Sequence, residues 1–184
     1  MLKNNKGFTM VELLVAIASF VIIISIAVGG FSGALRSQRQ SIALLNANYN
    51  SSLVLEQIAR EIRTGTNFCD QNPPCSSPLG GGEIRTDKLY FTNAYGQNVV
   101  YRLNNFGIEK SINIESTNGE TSFKKITADD VVVDYLKFIL NGQTFGDGKQ
   151  TRITILIGIK SKESSVSGSV VNLQTTVSPR VLDS

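Results

Sequence analysis

The sequence Lys-Gly-Phe-Thr-Met-Val-Glu at residues 6–12 leads directly into a long apolar segment. Residues 13–31 carry no charged side chain, and nineteen helical residues at about 1.5 Å each extend roughly 28 Å, close to the thickness of a bilayer's hydrocarbon core. A carboxylate such as Glu12 is costly beside lipid and is rare there unless it has a partner or a task. The sequence therefore predicts a membrane-spanning helix with a functional acid at its edge.

Two ordinary kinds of N-terminal segment share such an apolar run. A secretory signal peptide would be cleaved after the apolar region, near Gly30 or Ala34. A plain signal-anchor would be retained, and Glu12 would then have no particular role. Neither explains why a basic leader, a glycine and an acid stand together before the apolar run.

The junction around Gly7 resembles the processing site of type IV pilins and of type II secretion pseudopilins. The common family wording is Gly-Phe-Thr-Leu-Ile-Glu-Leu, and residues 7–13 read Gly-Phe-Thr-Met-Val-Glu-Leu, with two conservative apolar exchanges. The resemblance implies that a prepilin peptidase removes the leader, residues 1–7, and that Phe8 becomes an N-methylated N-terminus. It covers about the first thirty residues of the chain.

The resemblance also implies an assembly role for Glu12. A carboxylate is favourable near a helix N-terminus, where the macrodipole places partial positive charge. In a filament it could pair with the Phe8 amine of a neighbouring subunit, because an unmatched buried charge costs several kcal/mol. A solvated Glu12 with no such pairing is the alternative. The implied partners are the prepilin peptidase, other pilin or pseudopilin subunits, the lipid bilayer and an inner-membrane assembly platform.

The helix is expected to continue beyond residues 8–33 as an amphipathic helix over residues 34–65. Its predicted apolar stripe recurs mostly at spacings of three, four or seven: Leu35, Ile42, Leu45, Tyr49, Leu53, Ile58 and Ile62. Gly65 suits the left-handed position just past a helix end.

Residues 66–184 are predicted to form one globular head. Six strand-like runs are expected at residues 88–92, 98–103, 107–114, 131–140, 152–159 and 170–177, several of them alternating as half-buried antiparallel strands do. A long helix packed on an antiparallel sheet gives an α+β architecture. The pilin head has the same architecture, and residues 173–178 are similar to a tail of minor pilin-like chains.

Cys69 and Cys75 are the only cysteines, and they flank a turn-rich stretch. Beyond an export anchor, two cysteines at this spacing favour a small disulfide loop, and free thiols are the alternative. Metal binding is not expected, because the chain has no histidine and no second cysteine pair.

Catalytic motifs are missing from the sequence. The absence of histidine removes the commonest general base and any Ser-His-Asp or Cys-His arrangement. Asp129 and Asp130 are adjacent, which favours a cap or turn role over paired acid chemistry, and Asp147 lacks the spaced acids of a calcium loop. A net charge of +3 is too small to indicate nucleic-acid binding. The sequence predicts no enzyme and no cofactor.

Two functions follow from different classes of protein. The first is a structural filament subunit that is processed at Gly7 and Phe8 and assembles through Glu12. It is made as a single-pass membrane precursor with an extracytoplasmic head. After assembly it belongs to an extracellular or periplasmic filament. A minor pilin or minor pseudopilin is the expected subtype. The second is an uncleaved, membrane-anchored, adhesin-like binding module whose head carries the activity.

Overall fold

The computed structural model describes residues 7–71, 83–112, 122–142, 149–162 and 168–180. The chain divides into two compact units, Met1–Ile42 and Ala43–Ser184. Within the described ranges there is one helix, α1 (Met10–Thr64), which contributes residues to both units.

The first unit consists of the apolar part of α1. Most of its large apolar side chains, among them Phe20, Ile23 and Phe31, are more than half exposed. This is the reverse of a soluble helix, which buries its apolar stripe. The first unit therefore has no core of its own.

In the second unit, one face of α1 is buried in the head. That face is formed by Ala47, Ser51, Val54, Leu55, Ile58, Ala59 and Ile62. Only Ile58 and Ile62 belong to the apolar stripe predicted from the sequence. Leu45, Tyr49 and Leu53 are 64%, 66% and 46% exposed. The residues of the predicted stripe therefore do not form one buried face, and that prediction is wrong.

The error has a simple geometric cause. At about 100° of rotation per residue, positions 45, 49 and 53 lie almost opposite positions 54, 58 and 62 on the helix. Both sides of the helix are apolar, and a search for spacings of three and four merges them. In the second unit, α1 therefore has a buried inner face and a separate exposed apolar face.

Nine strands are described in the head. They are β1 (Thr66–Cys69), β2 (Ile84–Thr86), β3 (Lys88–Thr92), β4 (Asn98–Asn104), β5 (Gly107–Ile112), β6 (Lys124–Lys125), β7 (Val131–Asn141), β8 (Arg152–Ser161) and β9 (Val170–Val177). They form two antiparallel sheets, a first sheet in the order β1-β3-β4-β5-β6 and a second sheet in the order β2-β7-β8-β9. The predicted α+β class is confirmed, with two sheets in place of the one expected.

All six predicted strands are present, with ends that differ by two residues at most where the structure describes them. The three strands that the sequence did not indicate are β1, β2 and β6, which have only four, three and two residues. Runs this short give no measurable alternation, so no sequence pattern can reveal them.

One core joins the helix to both sheets. The inner face of β8 contributes Ile153, Ile155, Ile157 and Ile159, all fully buried, and β7 contacts β3, β4 and β5 of the first sheet. Phe91 stacks between Phe68 and Tyr101, with ring centroids 5.5 and 6.1 Å apart.

Gly65, directly after the helix, is required for a different reason from the one predicted. Its φ is not positive; the left-handed residue near this point is Asn67, with φ 54°. A Cβ on Gly65 would stand 2.7 Å from a ring carbon of Phe91. Close packing against an aromatic ring therefore requires the glycine.

Candidate functional site

Thr9 and Glu12 form a capping box at the start of α1. The Thr9 backbone N–H and hydroxyl both donate to Glu12 Oε2, at 3.1 and 3.0 Å, and the Glu12 N–H donates to Thr9 Oγ1 at 3.3 Å. In such a box the threonine at the cap and the acid three residues later satisfy each other's backbone donors. The Glu12 carboxylate is thus held against its own helix terminus.

The sequence contains the signal for this cap, a threonine followed three residues later by glutamate. The charge of Glu12 alone does not reveal the cap, because Thr9 supplies its other half. The cap matters because it gives Glu12 a second role, in helix initiation, besides the predicted role in assembly.

Gly7 and Phe8 precede the cap as exposed residues outside the helix. A Cβ on Gly7 would meet no atom within 4 Å, and Phe8 is 86% exposed. Nothing among the described residues blocks access to the peptide bond between them. The predicted processing position therefore lies on accessible backbone directly before the first helical turn.

Beyond Glu12, α1 presents an uncharged apolar surface. The next charged residue is Arg36, and the Ser25 hydroxyl donates to the Val21 carbonyl oxygen at 2.8 Å, so this polar group is satisfied within the helix. The most apolar eighteen-residue window of α1 has no buried share, and the helix is long and apolar enough to cross a membrane. A surface of this kind requires lipid or other apolar helices around it.

Further along α1, in the second unit, Leu45, Tyr49 and Leu53 form what we term the outer helix face. These residues are one helical turn apart and lie on the side of the helix away from the head core. Three large apolar side chains in a row on the surface exceed the scattered exposure that is normal for soluble domains.

Glu61, Lys110 and Tyr101 form a polar cluster between α1 and the first sheet. Lys110 Nζ lies 2.5 Å from Glu61 Oε1, and the two side chains are only 17% and 25% exposed. Tyr101 is fully buried, close to the Glu61 carboxylate. Burial raises the pKa of the Tyr101 phenol well above its usual range, and the negative charge of Glu61 raises it further.

The other predicted residues of the head have separate surroundings. Cys69 ends β1 and is nearly buried, whereas Cys75 lies outside the described residues, so their disulfide stays a prediction. Asp129 accepts a 2.6 Å hydrogen bond from Lys125, which lowers the pKa of the Asp129 carboxyl. Asp147 lies outside the described residues.

No group of three metal-ligating side chains occurs in the part of the chain that the structure describes. Arg102 of β4 forms an ion pair with Glu109 of the neighbouring β5 and a cation–π contact with Phe123.

Comparison with known proteins agrees with the N-terminal geometry. Residues 2–32 match the family model described as the prokaryotic N-terminal methylation motif, which is 31 of the 184 residues. This motif defines the class: the chain is similar to type IV pilin-like proteins, a structural family, at the segment that carries Gly7, Phe8 and Glu12. No curated protein and no solved structure matches the chain.

Proposed function

We propose that this chain is a structural subunit of a filament of the type IV pilus or type II secretion pseudopilus kind. A prepilin peptidase cleaves the precursor after Gly7, and Phe8 becomes the N-methylated N-terminus. The mature chain then assembles through its N-terminal helix on an inner-membrane platform. The observation that carries the proposal is the coincidence of the methylation motif at residues 2–32 with a helix whose residues 13–35 are uncharged and exposed.

The exposed helix supports assembly because its apolar surface can be covered first by lipid and then by the helices of sister subunits. In the membrane, residues 13–31 can be solvated by lipid. On leaving the membrane, the same apolar surface would face water unless sister helices cover it, and covering several large side chains is favourable by about 25 cal/mol per Å² of apolar area. A bundle of sister helices provides that cover.

Glu12 fixes the axial position of each helix relative to its neighbours, which the uniform apolar surface alone would not do. Apolar helices slide past one another at little cost, whereas a carboxylate left without a partner inside the bundle costs several kcal/mol. The Phe8 amine of a neighbouring subunit, created by cleavage, is the proposed partner. The capping box with Thr9 keeps the carboxylate satisfied in the precursor, before that amine exists.

The outer helix face favours a filament over a monomeric anchored module. Leu45, Tyr49 and Leu53 lie in the head unit, beyond the membrane-length segment, and would face water in a monomer. In a filament the same face continues the contact between sister helices.

We assign the head to the extracytoplasmic side, in a periplasmic or extracellular filament. A Cys69–Cys75 disulfide belongs to this proposal, since disulfides persist in oxidising compartments. The size of the head and its irregular, turn-rich segment support a minor pilin or minor pseudopilin.

The test separates the charge of Glu12 from its cap. Glu12→Gln removes the charge but keeps a side chain that can complete a capping box, whereas Thr9→Ala removes the cap and keeps the charge. We expect both variants to insert and to be cleaved. Glu12→Gln should reduce incorporation into filaments sheared from the host at least about tenfold, the effect of roughly 1.4 kcal/mol, and Thr9→Ala should stay within about threefold.

Glu12→Ala, which removes both charge and cap, serves as the reference for full loss. Wild-type incorporation of Glu12→Gln would contradict the proposed ion pair. Retention of all variants as uncleaved, unassembled membrane proteins with functional heads would favour the anchored binding module.

A further inference from the structure

Strand β9 (Val170–Val177) is an open edge of the second sheet. It pairs with β8 along all eight of its residues, without a register shift. Outside that ladder, no backbone hydrogen bond joins β9 to another described residue. Among the residues that the structure describes, one side of β9 therefore has no strand partner, and its backbone donors and acceptors are a template for a further strand.

The other sheet edges are short or carry charge, as natural edges usually are. β1 has four residues, β2 has three with Arg85 at its centre, and β6 consists of Lys124 and Lys125 alone. β9 has the sequence Val-Val-Asn-Leu-Gln-Thr-Thr-Val, without a charge, a proline or a glycine. It is the one long edge among the described strands that carries none of the usual protections.

The inner face of β9 is incompletely covered. Val171 and Leu173 pack against the core but are only partly buried, whereas their neighbours on β8, such as Ile157 and Ile159, are fully buried. The outward side chains are tied back to the sheet: Tyr135 Oη donates to Asn172 Oδ1 at 2.9 Å, and the hydroxyls of Thr154 and Thr176 lie 2.8 Å apart. The edge is thus pre-organised, and an added strand would complete the burial of its apolar residues.

We propose that β9 pairs with β9 of a second copy of this chain. A two-fold axis perpendicular to the sheet brings one edge against itself with antiparallel strands, and it keeps both inner faces on the same side. Because the strand has no charge, self-pairing meets no electrostatic repulsion. The result is one continuous eight-stranded sheet across two heads.

The alternation of β9 restricts the register. Residues that stand opposite each other share a face, so inward residues must meet inward residues, and a slip by one residue is excluded. A register centred on Leu173 places Leu173 opposite its own copy and Val171 opposite Thr175 on the inner face. It places Asn172 opposite Gln174 on the outer face. The two half-covered apolar residues are then at the centre of the interface.

This pairing does not depend on the helix-mediated assembly proposed above. It uses the second sheet of the head, whereas filament packing uses α1. A variant that cannot assemble, Glu12→Ala, should therefore still form the β9 pair, and the two proposals can fail separately.

The first measurement is cross-linking of the full chain in its own membrane. Leu173→Cys should give a covalent homodimer with a short bismaleimide, because the two positions stand about 5 Å apart. The matched control is Thr154→Cys on β8, whose copies would be separated by three strand spacings across the sheet and by six residues along it, roughly 25 Å in all. The parent protein gives the background from Cys69 and Cys75.

The second measurement uses a pair of double variants that both lose the Tyr135–Asn172 hydrogen bond. Asn172→Lys with Gln174→Lys places like charges opposite each other twice, and Asn172→Lys with Gln174→Glu places opposite charges there. In detergent, the first should weaken the dimer at least about tenfold relative to the second, since two cross-strand charge pairs change sign.

The expected result is a Leu173→Cys dimer that persists in Glu12→Ala and a dissociation constant that follows the charge pattern. Cross-linking no stronger than that of Thr154→Cys would overturn the proposal. So would a dimer that is indifferent to the two charge patterns, or one that disappears with Glu12→Ala. A β9 edge occupied by a different subunit would give the first of these outcomes.

Discussion

At the scale of single residues, the structure contains one polar pair that is local in sequence and one that is distant. Thr9 and Glu12 are three residues apart, and their cap follows from a recognised sequence pattern. Glu61 and Lys110 are 49 residues apart and meet only because α1 packs on the first sheet. The first pair could be predicted from the sequence, whereas the second could not, because no local pattern links residues that tertiary packing brings together.

Tyr101 gives the head a dependence on alkaline pH. The folded protein keeps the phenol protonated, whereas the unfolded chain loses the proton near the ordinary pKa of 10.0. Ionisation therefore favours the unfolded state, so the stability is fully present below that pH and falls as the pH rises above it. The slope is at most about 1.4 kcal/mol per pH unit for one such group.

Urea unfolding of the full chain in detergent, from roughly pH 8 to pH 11, measures how the free energy of unfolding changes with pH. This range includes the ordinary pKa values of tyrosine and lysine side chains. Tyr101→Phe lacks the phenol and should lose less stability than the parent over the upper part of the range, while lysine titration is common to both proteins. Identical pH profiles for the two proteins would contradict the assignment.

At the scale of elements, alternation and helical spacing predicted six strands and the helix, because long runs leave a clear period. The same spacing misplaced the buried face of α1, since Leu45 and Leu53 satisfy it as well as Ile58 does. Division into two sheets could not be predicted either, because it depends on which strands pair across the chain. Periodicity identifies an apolar face but not what covers it.

The two faces of α1 should respond differently to the same change. Ile58→Ala removes a fully buried side chain and should cost about 2–5 kcal/mol in the free energy of unfolding. Leu53→Ala, on the outer helix face, should stay within about 0.5 kcal/mol. If sister subunits cover this face, Leu45→Gln combined with Leu53→Gln should nevertheless reduce filament incorporation.

Urea midpoints and the amount of subunit in sheared filaments test both statements. An outer-face variant that unfolds as readily as Ile58→Ala would mean that the face is buried in the subunit itself. Normal incorporation of the double glutamine variant would mean that no neighbour covers the face.

At the scale of the whole molecule, the two units differ in how much of each could be predicted from the sequence. The first is recognisable from sequence, because a processing site, an acid and an apolar length must coincide within about thirty residues, and its family model matches. The head has the α+β architecture expected from its pattern, but its exposed features, the outer helix face and the β9 edge, emerge only from the folded arrangement.

The most direct test of the central claim is the intact mass and N-terminal sequence of the protein recovered from membranes of its own host. We expect a chain that starts at Phe8 and is heavier by one methyl group, and a Gly7→Ala variant that accumulates as precursor. A chain that still begins at Met1, or one cleaved after Gly30 or Ala34, would contradict it.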